Sequence, residues 1–411
     1  MAGDFKIIHD SIHGSIRLEE PLISILETPE MQRLSNVRQL GMNYLVFPGA
    51  NHTRFEHSLG VSHLAGQIGR FLSLNDDQIK ILRIAGLLHD IGHPPFSHTL
   101  ERYIKKRTGL DHVEIGAKIV NGEIDIANNL SWRREKINEN IENNGLDPRE
   151  IISIFSEKEE NDIFGIRPRK KYMQKIINGD LDADQLDYLL RDSHYTGVAY
   201  GIIDLQRILN TVSIRADDIV FNEKGLEALE SVMVARALMY SSVYFHKTAR
   251  IAELMLSRAI ESLRILDPIN LISMNDSELI SMLLQSDGYA KEIGLRIKYR
   301  RLFKKAMVYA ELPENFDMMN IKKMEDEIAY ESGAPDGYVL IDLPIEEISM
   351  NEPRLTNLDI KLEKDGRIVY LNSISNIVKS LRTRRPVDYS MMVIAEKSYV
   401  ENVKNVLKRK F

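Results

Sequence analysis

Seven of the eleven histidines, His52, His57, His63, His89, His93, His98 and His112, fall in one short window, and the apolar residues around them recur at helical spacing. Phe55, Leu59, Leu64, Ile68 and Leu72 make one stripe, and Ile81, Ile84, Ala85 and Leu88 make another. Each stripe is the buried face of an amphipathic helix. Two such helices in succession can pack antiparallel, which gathers their imidazoles into one region. Asn75 to Asp77 supplies a cap for the second helix. Its end is predicted near Asp90, because Gly92, Pro94 and Pro95 cannot continue it, and His93 then sits on a tight turn.

A chain of 411 residues holds two or three domains at about 150 residues each, or one large helical body with an appendage. With 44% apolar and 28% charged residues it can close a full core, which excludes disorder and fibrous structure. There is no cysteine, so disulfides, thiol nucleophiles and sulfur ligands are ruled out together. Any metal is held by nitrogen and oxygen. A net charge of −6 argues against a protein that coats nucleic acid through bulk charge. No apolar run approaches the ~18 residues that span a bilayer, and the first residues lack the basic then apolar pattern of a secretion signal. The expected location is the cytoplasm.

Helical patterns continue through Asp182 to Asp192 and over a long amphipathic stretch from about Leu226 to Leu263. From about Gly337 the pattern changes to strand-like runs, Tyr338-Val339-Leu340-Ile341, Ile368-Val369-Tyr370-Leu371 and Met391-Met392-Val393-Ile394, broken by proline, glycine and asparagine. The predicted fold is mainly α: a helical core over residues 1–325 and a smaller C-terminal α+β lobe over residues 326–411 that ends in a helix. No internal repeat or low-complexity segment is present.

His89-Asp90 closes the apolar segment Ala85-Gly86-Leu87-Leu88, so an imidazole and a carboxylate arrive together at its polar end. That pair is the donor mix of a nitrogen and oxygen metal site. His57 lies on the preceding helix, and the segment Asp182 to Tyr188 offers further carboxylates. At about 100° per residue, Asp184, Asp187, Tyr188, Arg191 and Asp192 share one helix face while Leu186, Leu189 and Leu190 take the other. A lone His-Asp pair is commonplace, and an acidic helix face is usually just solvated. The conjunction of a dense histidine window, apolar helix bodies, a glycine and proline break and a later acidic face points to metal binding. Farther on, Arg236, Tyr240, Tyr244, Lys247 and Arg250 fall on one stripe of the long predicted helix. Guanidinium groups and rings in a row suit phosphate and sugar.

Read in order, His57, His89-Asp90 and Asp184 match the H…HD…D signature of the HD-domain metal-dependent phosphohydrolases. The strings Val46-Phe47-Pro48-Gly49-Ala50-Asn51-His52-Thr53-Arg54-Phe55-Glu56-His57-Ser58 and His89-Asp90-Ile91-Gly92-His93-Pro94-Pro95-Phe96-Ser97-His98 resemble one branch, the deoxynucleoside triphosphate triphosphohydrolases that include the sterile-alpha-motif and HD-domain proteins. The resemblance runs from about residue 6 to residue 255. It implies an HD-domain helical core with one divalent ion (Mn, Fe, Co, Ni, Zn or Mg) held by His57, His89, Asp90 and Asp184. It also implies hydrolysis of dNTP to deoxynucleoside and inorganic triphosphate. Two imidazoles and two carboxylates leave such an ion near neutrality, with positions open for water and a phosphate oxygen. By the same resemblance His93 touches the attacked phosphate, and Glu101 with His112 forms an acid–base pair. Arg54 and Arg236 bind phosphate, His98 lies in the pocket, Tyr188 and Tyr244 line the sugar, and Gln39 with Asp192 holds the 3′-hydroxyl. A homo-oligomer, dimer or tetramer, and a nucleotide effector are implied as well. Two alternatives stay open: an HD-domain phosphohydrolase acting on another nucleotide or phosphoester, and a nucleotide-binding regulator with weak turnover.

Some positions depart from the branch. Gln185 stands where some relatives place a phosphate-contacting lysine. Lys6, Ile7, Glu27 and Gln32 resemble an activator site for a guanine nucleotide, but Glu27 replaces an aspartate and Ser35 an arginine. His9, His13, His52 and His63 read as structural. The basic runs Arg167 to Lys171, Lys298 to Lys305 and Lys379 to Arg385 have few aromatic neighbours, which gives single-stranded nucleic acid nothing to stack on. They are assigned to solvated loops, subunit contacts or effector phosphates.

Overall fold

The computed structural model describes residues 5–411 except 128–129, 132–133, 157–169, 264, 266, 345–358, 382–383 and 385–386. The chain is mainly helical. Helix α1 (Arg54–Phe71) begins at a capping box in which the Glu56 carboxylate accepts from the Thr53 backbone N–H at 2.6 Å. Helix α2 (Asp76–Leu88) is capped by Asn75, whose Oδ1 accepts from Gln78 N at 2.9 Å. The two run antiparallel. Gly66 meets Arg83 and Gly86 meets Ser62, and a Cβ at Gly86 would lie 3.1 Å from Ser62 N and Val61 O. That close approach brings the end of α2 beside the start of α1.

Around this pair lie α3 (His98–Thr108), α4 (His112–Val120), α5 (Ala183–Thr196), α6 (Leu226–Met239), α7 (Lys247–Ser262) and α8 (Asp276–Gln285). Their apolar faces share one large core that includes Leu59, Leu64, Ile84, Leu88, Ile115, Leu189, Val232 and Leu256. Ahead of α1 an antiparallel hairpin, β1 (Lys6–Asp10) and β2 (Gly14–Leu18), turns through Asp10, whose Oδ1 accepts from Ile12 N and His13 N at 2.9 and 2.8 Å. A four-stranded sheet joins β3 (Val212–Arg215) and β4 (Asp218–Asn222) to β7 (Lys361–Lys364) and β8 (Arg367–Tyr370).

The C-terminal layer is a three-stranded sheet in the order β5 (Lys304–Tyr309), β9 (Met391–Ala395), β6 (Val339–Asp342), with β9 antiparallel to both neighbours. Alternation along the strands divides it cleanly. Leu340, Met392 and Ile394 join the helical core. Val339, Ile341, Met391, Val393 and Ala395 instead close a second cluster under α9 (Ile321–Ser332) and α10 (Val400–Lys410). The sheet thus begins at Lys304, and the boundary expected between residues 325 and 326 falls inside α9.

The long helix expected from Leu226 to Leu263 is interrupted. After α6 the chain makes a π-helical turn, Tyr240–Tyr244, in which Phe245 N donates to Tyr240 O at 3.0 Å. His246 then caps α7 through Nδ1, which accepts from Thr248 N at 3.2 Å. One wide turn and a new cap rotate everything after Tyr244, so the five-residue stripe is not continuous. Lys247 reaches Asp388 at 2.9 Å, and Arg250 is buried in an ion pair with Asp342, which also accepts from Tyr389 Oη at 2.7 Å. Of the basic runs, Arg167 to Arg169 and residues 382, 383 and 385 lie outside the described residues. Arg300 donates from Nε to Leu45 O at 3.0 Å, and Arg384 from Nη2 to Ser241 Oγ at 3.3 Å. Among the described residues no helix is long and apolar enough to cross a membrane.

Candidate metal centre and adjoining cleft

His57, on the first turn of α1, and His89, at the C-terminus of α2, bring their rings to 5.2 Å. Asp184, on the first turn of α5, places Oδ1 3.0 Å from His57 Nε2 and 3.9 Å from His89 Nε2. Asp90 adds Oδ2 at 3.6 Å from His57 Nε2 and Oδ1 at 3.4 Å from His89 Nε2. Donors about 2.1 Å from a common ion stand about 3.0 Å apart when adjacent and about 4.2 Å apart when opposite, so these separations suit a single cation. Both Nε2 atoms are buried and make no hydrogen bond among the described residues. The other nitrogen of each ring is satisfied: His89 Nδ1 donates to Gly86 O at 2.9 Å and His57 Nδ1 to Asp187 Oδ2 at 2.7 Å. Two oriented rings with unmatched lone pairs between two carboxylates fit a divalent ion.

Charge tells the same story. Burial alone would lower the pKa of His57, but the facing carboxylates Asp184 and Asp187 outweigh it and push the ring up to about 10. Burial works to raise Asp90, yet Arg54, His89 and His93 hold it well below the usual carboxylate range. The Arg54 guanidinium pairs with Asp90 through Nη1.

Asp187 is fully buried and serves as the hub behind His57. It also accepts from His13 Nε2 at 2.7 Å and from Arg191 Nε and Nη2 at 2.8 and 2.9 Å. Arg191 in turn binds Asp10 at 2.8 Å, which ties the N-terminal hairpin to the metal ligands. Gly60 makes room for this hub, since a Cβ there would lie 1.9 Å from Asp187 Oδ1 and 2.4 Å from Arg191 Nη2.

Beyond Asp90, His93 reaches Oδ1 through Nε2 at 3.2 Å and stacks on His112 at 4.0 Å. Glu101 accepts from His112 Nδ1 and, at 2.9 Å, from His98 Nδ1. Burial and the nearby Arg54 and His112 charges keep His93 well below its ordinary pKa. Burial would lower His112, but Glu101 raises it.

A cleft opens from Arg54 and is lined by Gln39, His98, Tyr188, Asp192 and Tyr244, together with Asn43, Phe245, Arg250 and Glu253. Asp192 is held on both oxygens, by Tyr244 Oη at 2.7 Å and His52 Nε2 at 2.7 Å. Among the described residues His93, expected on the attacked phosphate, is absent from this lining, and of the residues expected on the phosphate chain and sugar so is Arg236. It is buried on α6 and donates from Nη1 to Gln185 Oε1 at 3.1 Å. Gln185 therefore orients a cation from behind rather than supplying one. Lys6 pairs with Glu27 on the surface, and Gln32 donates to Leu26 O at 2.9 Å.

From sequence, Asp187 stands on the expected acidic face without an assigned role, His13 and His52 read as structural, and Asp10 is not expected at this centre. The signals were present in the Asp-x-x-His-Gly turn and in the i, i+3 spacing of Asp184 and Asp187, but neither names its distant partner.

The chain matches the model of the HD domain over residues 54–192 and that of the HD associated region over residues 203–411. It is 36% identical to an uncharacterized protein of Methanocaldococcus jannaschii over 97% of this chain and 81% of that one. It is 29% identical to the deoxynucleoside triphosphate triphosphohydrolase SAMHD1 of Homo sapiens, over 93% of this chain and 64% of the relative. Among solved structures, a phosphohydrolase from Bacteroides thetaiotaomicron matches with a TM-score of 0.72 and 28% identity, over 95% of this chain and 100% of that one.

Proposed function

This chain belongs to the HD-domain phosphohydrolase family, and we propose that it hydrolyses deoxynucleoside triphosphates to deoxynucleoside and inorganic triphosphate. The observation that carries the reading is the grouping of His57, His89 and Asp184, with Asp90 at 3.6 and 3.4 Å from the two rings, beside a cleft whose walls are Arg54, Tyr188, Asp192 and Tyr244. The name of the human relative supports the choice of substrate.

A divalent cation on those four side chains would supply Lewis-acid activation of water and of a phosphoryl oxygen. The remaining work belongs to the chain. A water oxygen bonds to the α-phosphorus, the bond from phosphorus to O5′ breaks, one proton leaves the water and one reaches O5′. Glu101 fixes His98 and His112 with Nδ1–H toward its carboxylate; His98 Nε2 accepts from Arg54 Nη2 at 3.5 Å, and His112 Nε2 is the one left to exchange a proton. His112, with its raised pKa, is the donor to O5′. Arg54, anchored by Asp90 and by Ser97 Oγ at 2.7 Å, offers positive charge to the phosphate chain. Tyr188 and Tyr244 meet edge to face at 6.0 Å, and their rings press against C2′ where a ribose would carry its hydroxyl. Asp192 and Gln39 take the 3′-hydroxyl.

The test is product analysis. Purified protein of known metal content is incubated with each dNTP and NTP. Inorganic triphosphate from the deoxy series, with slower release from the ribo series, is expected. Orthophosphate or pyrophosphate as the product, or no turnover by metal-loaded protein, would overturn the reading.

A further inference from the structure

Between the ligand Asp90 and helix α3 the chain adopts a backbone that non-glycine residues avoid. Phe96 has φ 56° and Ser97 has φ 54° with ψ −125°, and both are buried. Something outside the turn has to hold it. Three groups do so. Asp276 Oδ1 accepts from Phe96 N at 2.8 Å. Ser97 Oγ donates to Arg38 O at 2.8 Å. Asp276 Oδ2 accepts from Arg38 N at 3.1 Å and from Arg38 Nη1 at 3.2 Å. One carboxylate thus clamps two separate backbone segments, and Gly41 lets them close, since a Cβ there would lie 2.9 Å from Phe96 O.

Asp276 has no local reason to be where it is. It is the first residue of α8, but that helix is already capped by Asn275, whose Oδ1 accepts from Ser277 N and Glu278 N at 3.0 Å each, and by Glu278, which accepts from Asn275 N at 2.7 Å. The Asp276 side chain turns away from its own helix and is 2% exposed. It points at the turn. Ser97 Oγ, fixed by that turn, accepts from Arg54 Nε at 2.7 Å, and Arg54 pairs with Asp90.

We propose that Asp276 is a positioning residue: from the HD associated region it locks Phe96-Ser97 in place, and through Ser97 it aims Arg54 between Asp90 and the phosphate chain. Asp276 therefore helps complete the site without itself touching substrate. The turnover readout of this proposal rests on the phosphohydrolase reading, whereas the geometry of the clamp does not.

The experiment compares the full-length, metal-loaded protein with Asp276→Asn and Asp276→Ala. Asparagine keeps the shape but presents an N–H to one of the two backbone donors. Asp276→Asn is expected to lower kcat for triphosphate release at least about tenfold, with KM within about threefold and metal content unchanged, because His57, His89 and Asp184 are untouched. Hydrogen exchange at the Phe96 amide is expected to quicken by about two orders of magnitude, while amides in the later turns of α3 keep their protection. Unchanged kcat and unchanged Phe96 exchange in a folded Asp276→Asn protein would overturn the proposal, as would a uniform loss of protection with loss of metal. If the parent releases no triphosphate, the substrate reading fails, and the exchange result alone decides the clamp. Should Asp276→Ala fail to fold, Asp276→Asn carries the test.

Discussion

His57 and His112 lie in the same centre, and in both rings burial pulls the pKa down while carboxylates push it up. They differ in how many nitrogens those carboxylates occupy. Asp184 and Asp187 face both nitrogens of His57, whose side chain is 1% exposed. Glu101 faces only Nδ1 of His112, whose side chain is 24% exposed. A ring closed on both sides can only hold something between its neighbours, and a proton or a cation serves. A ring open on one side can pick up a proton and hand it on. Ligand and proton carrier are thus separated by the placement of one carboxylate.

The largest effect should come from breaking the closed ring's site. Asp184→Ala is expected to lose bound metal and to cut turnover by at least about a thousandfold, since Lewis-acid stabilisation is worth several kcal/mol; elemental analysis beside product release checks both. Breaking the open ring should cost less and spare the metal. His112→Gln is expected to lower kcat by about 10²–10⁴-fold at full metal occupancy, and if metal leaves with activity, the distinction between the two rings is wrong. A third change touches only the support. Asp187→Asn should weaken metal binding about 10–100-fold, as loss of a ligand-orienting carboxylate does, with turnover restored when metal is raised to saturation. Competition with a chelator measures it.

The smallest effect is a shift in pH dependence. Glu101 raises the pKa of His112, so the protonated ring persists to higher pH and kcat declines as pH rises through that value. In Glu101→Gln the carboxylate is gone, the pKa falls back, and the decline in kcat should begin at lower pH. A basic limb that stays where it was would mean that another group gives the proton.

Much of the centre was legible because its parts announce themselves locally. His89-Asp90 ends an apolar run, Asn75 caps the helix that carries it, and the glycine and proline break fixes where that helix stops. The strands of the tail were legible too, since residues 339–341 and Met391–Ala395 are continuous apolar runs buried on both faces. The break at Tyr240 was not, because a π turn inserts one residue without disturbing apolar spacing on either side. The hairpin Lys6–Asp10 and Gly14–Leu18 escaped notice for a different reason: its first strand leaves Ile7 60% exposed, so no clean alternation marks it. Asp187 and Asp276 were hidden by distance. A carboxylate in a helix reads as solvated until the fold reveals the ring or amide it faces.

Gly60 carries no functional group, yet it decides whether the others are useful. A related chain could keep every ligand, every histidine of the proton pair and the whole cleft, and still be silent if a bulkier residue occupied that single place, because the paired charges beneath it would have nowhere to stand. When sequences of this kind are sorted into active and inactive members, the empty space deserves to be read alongside the side chains.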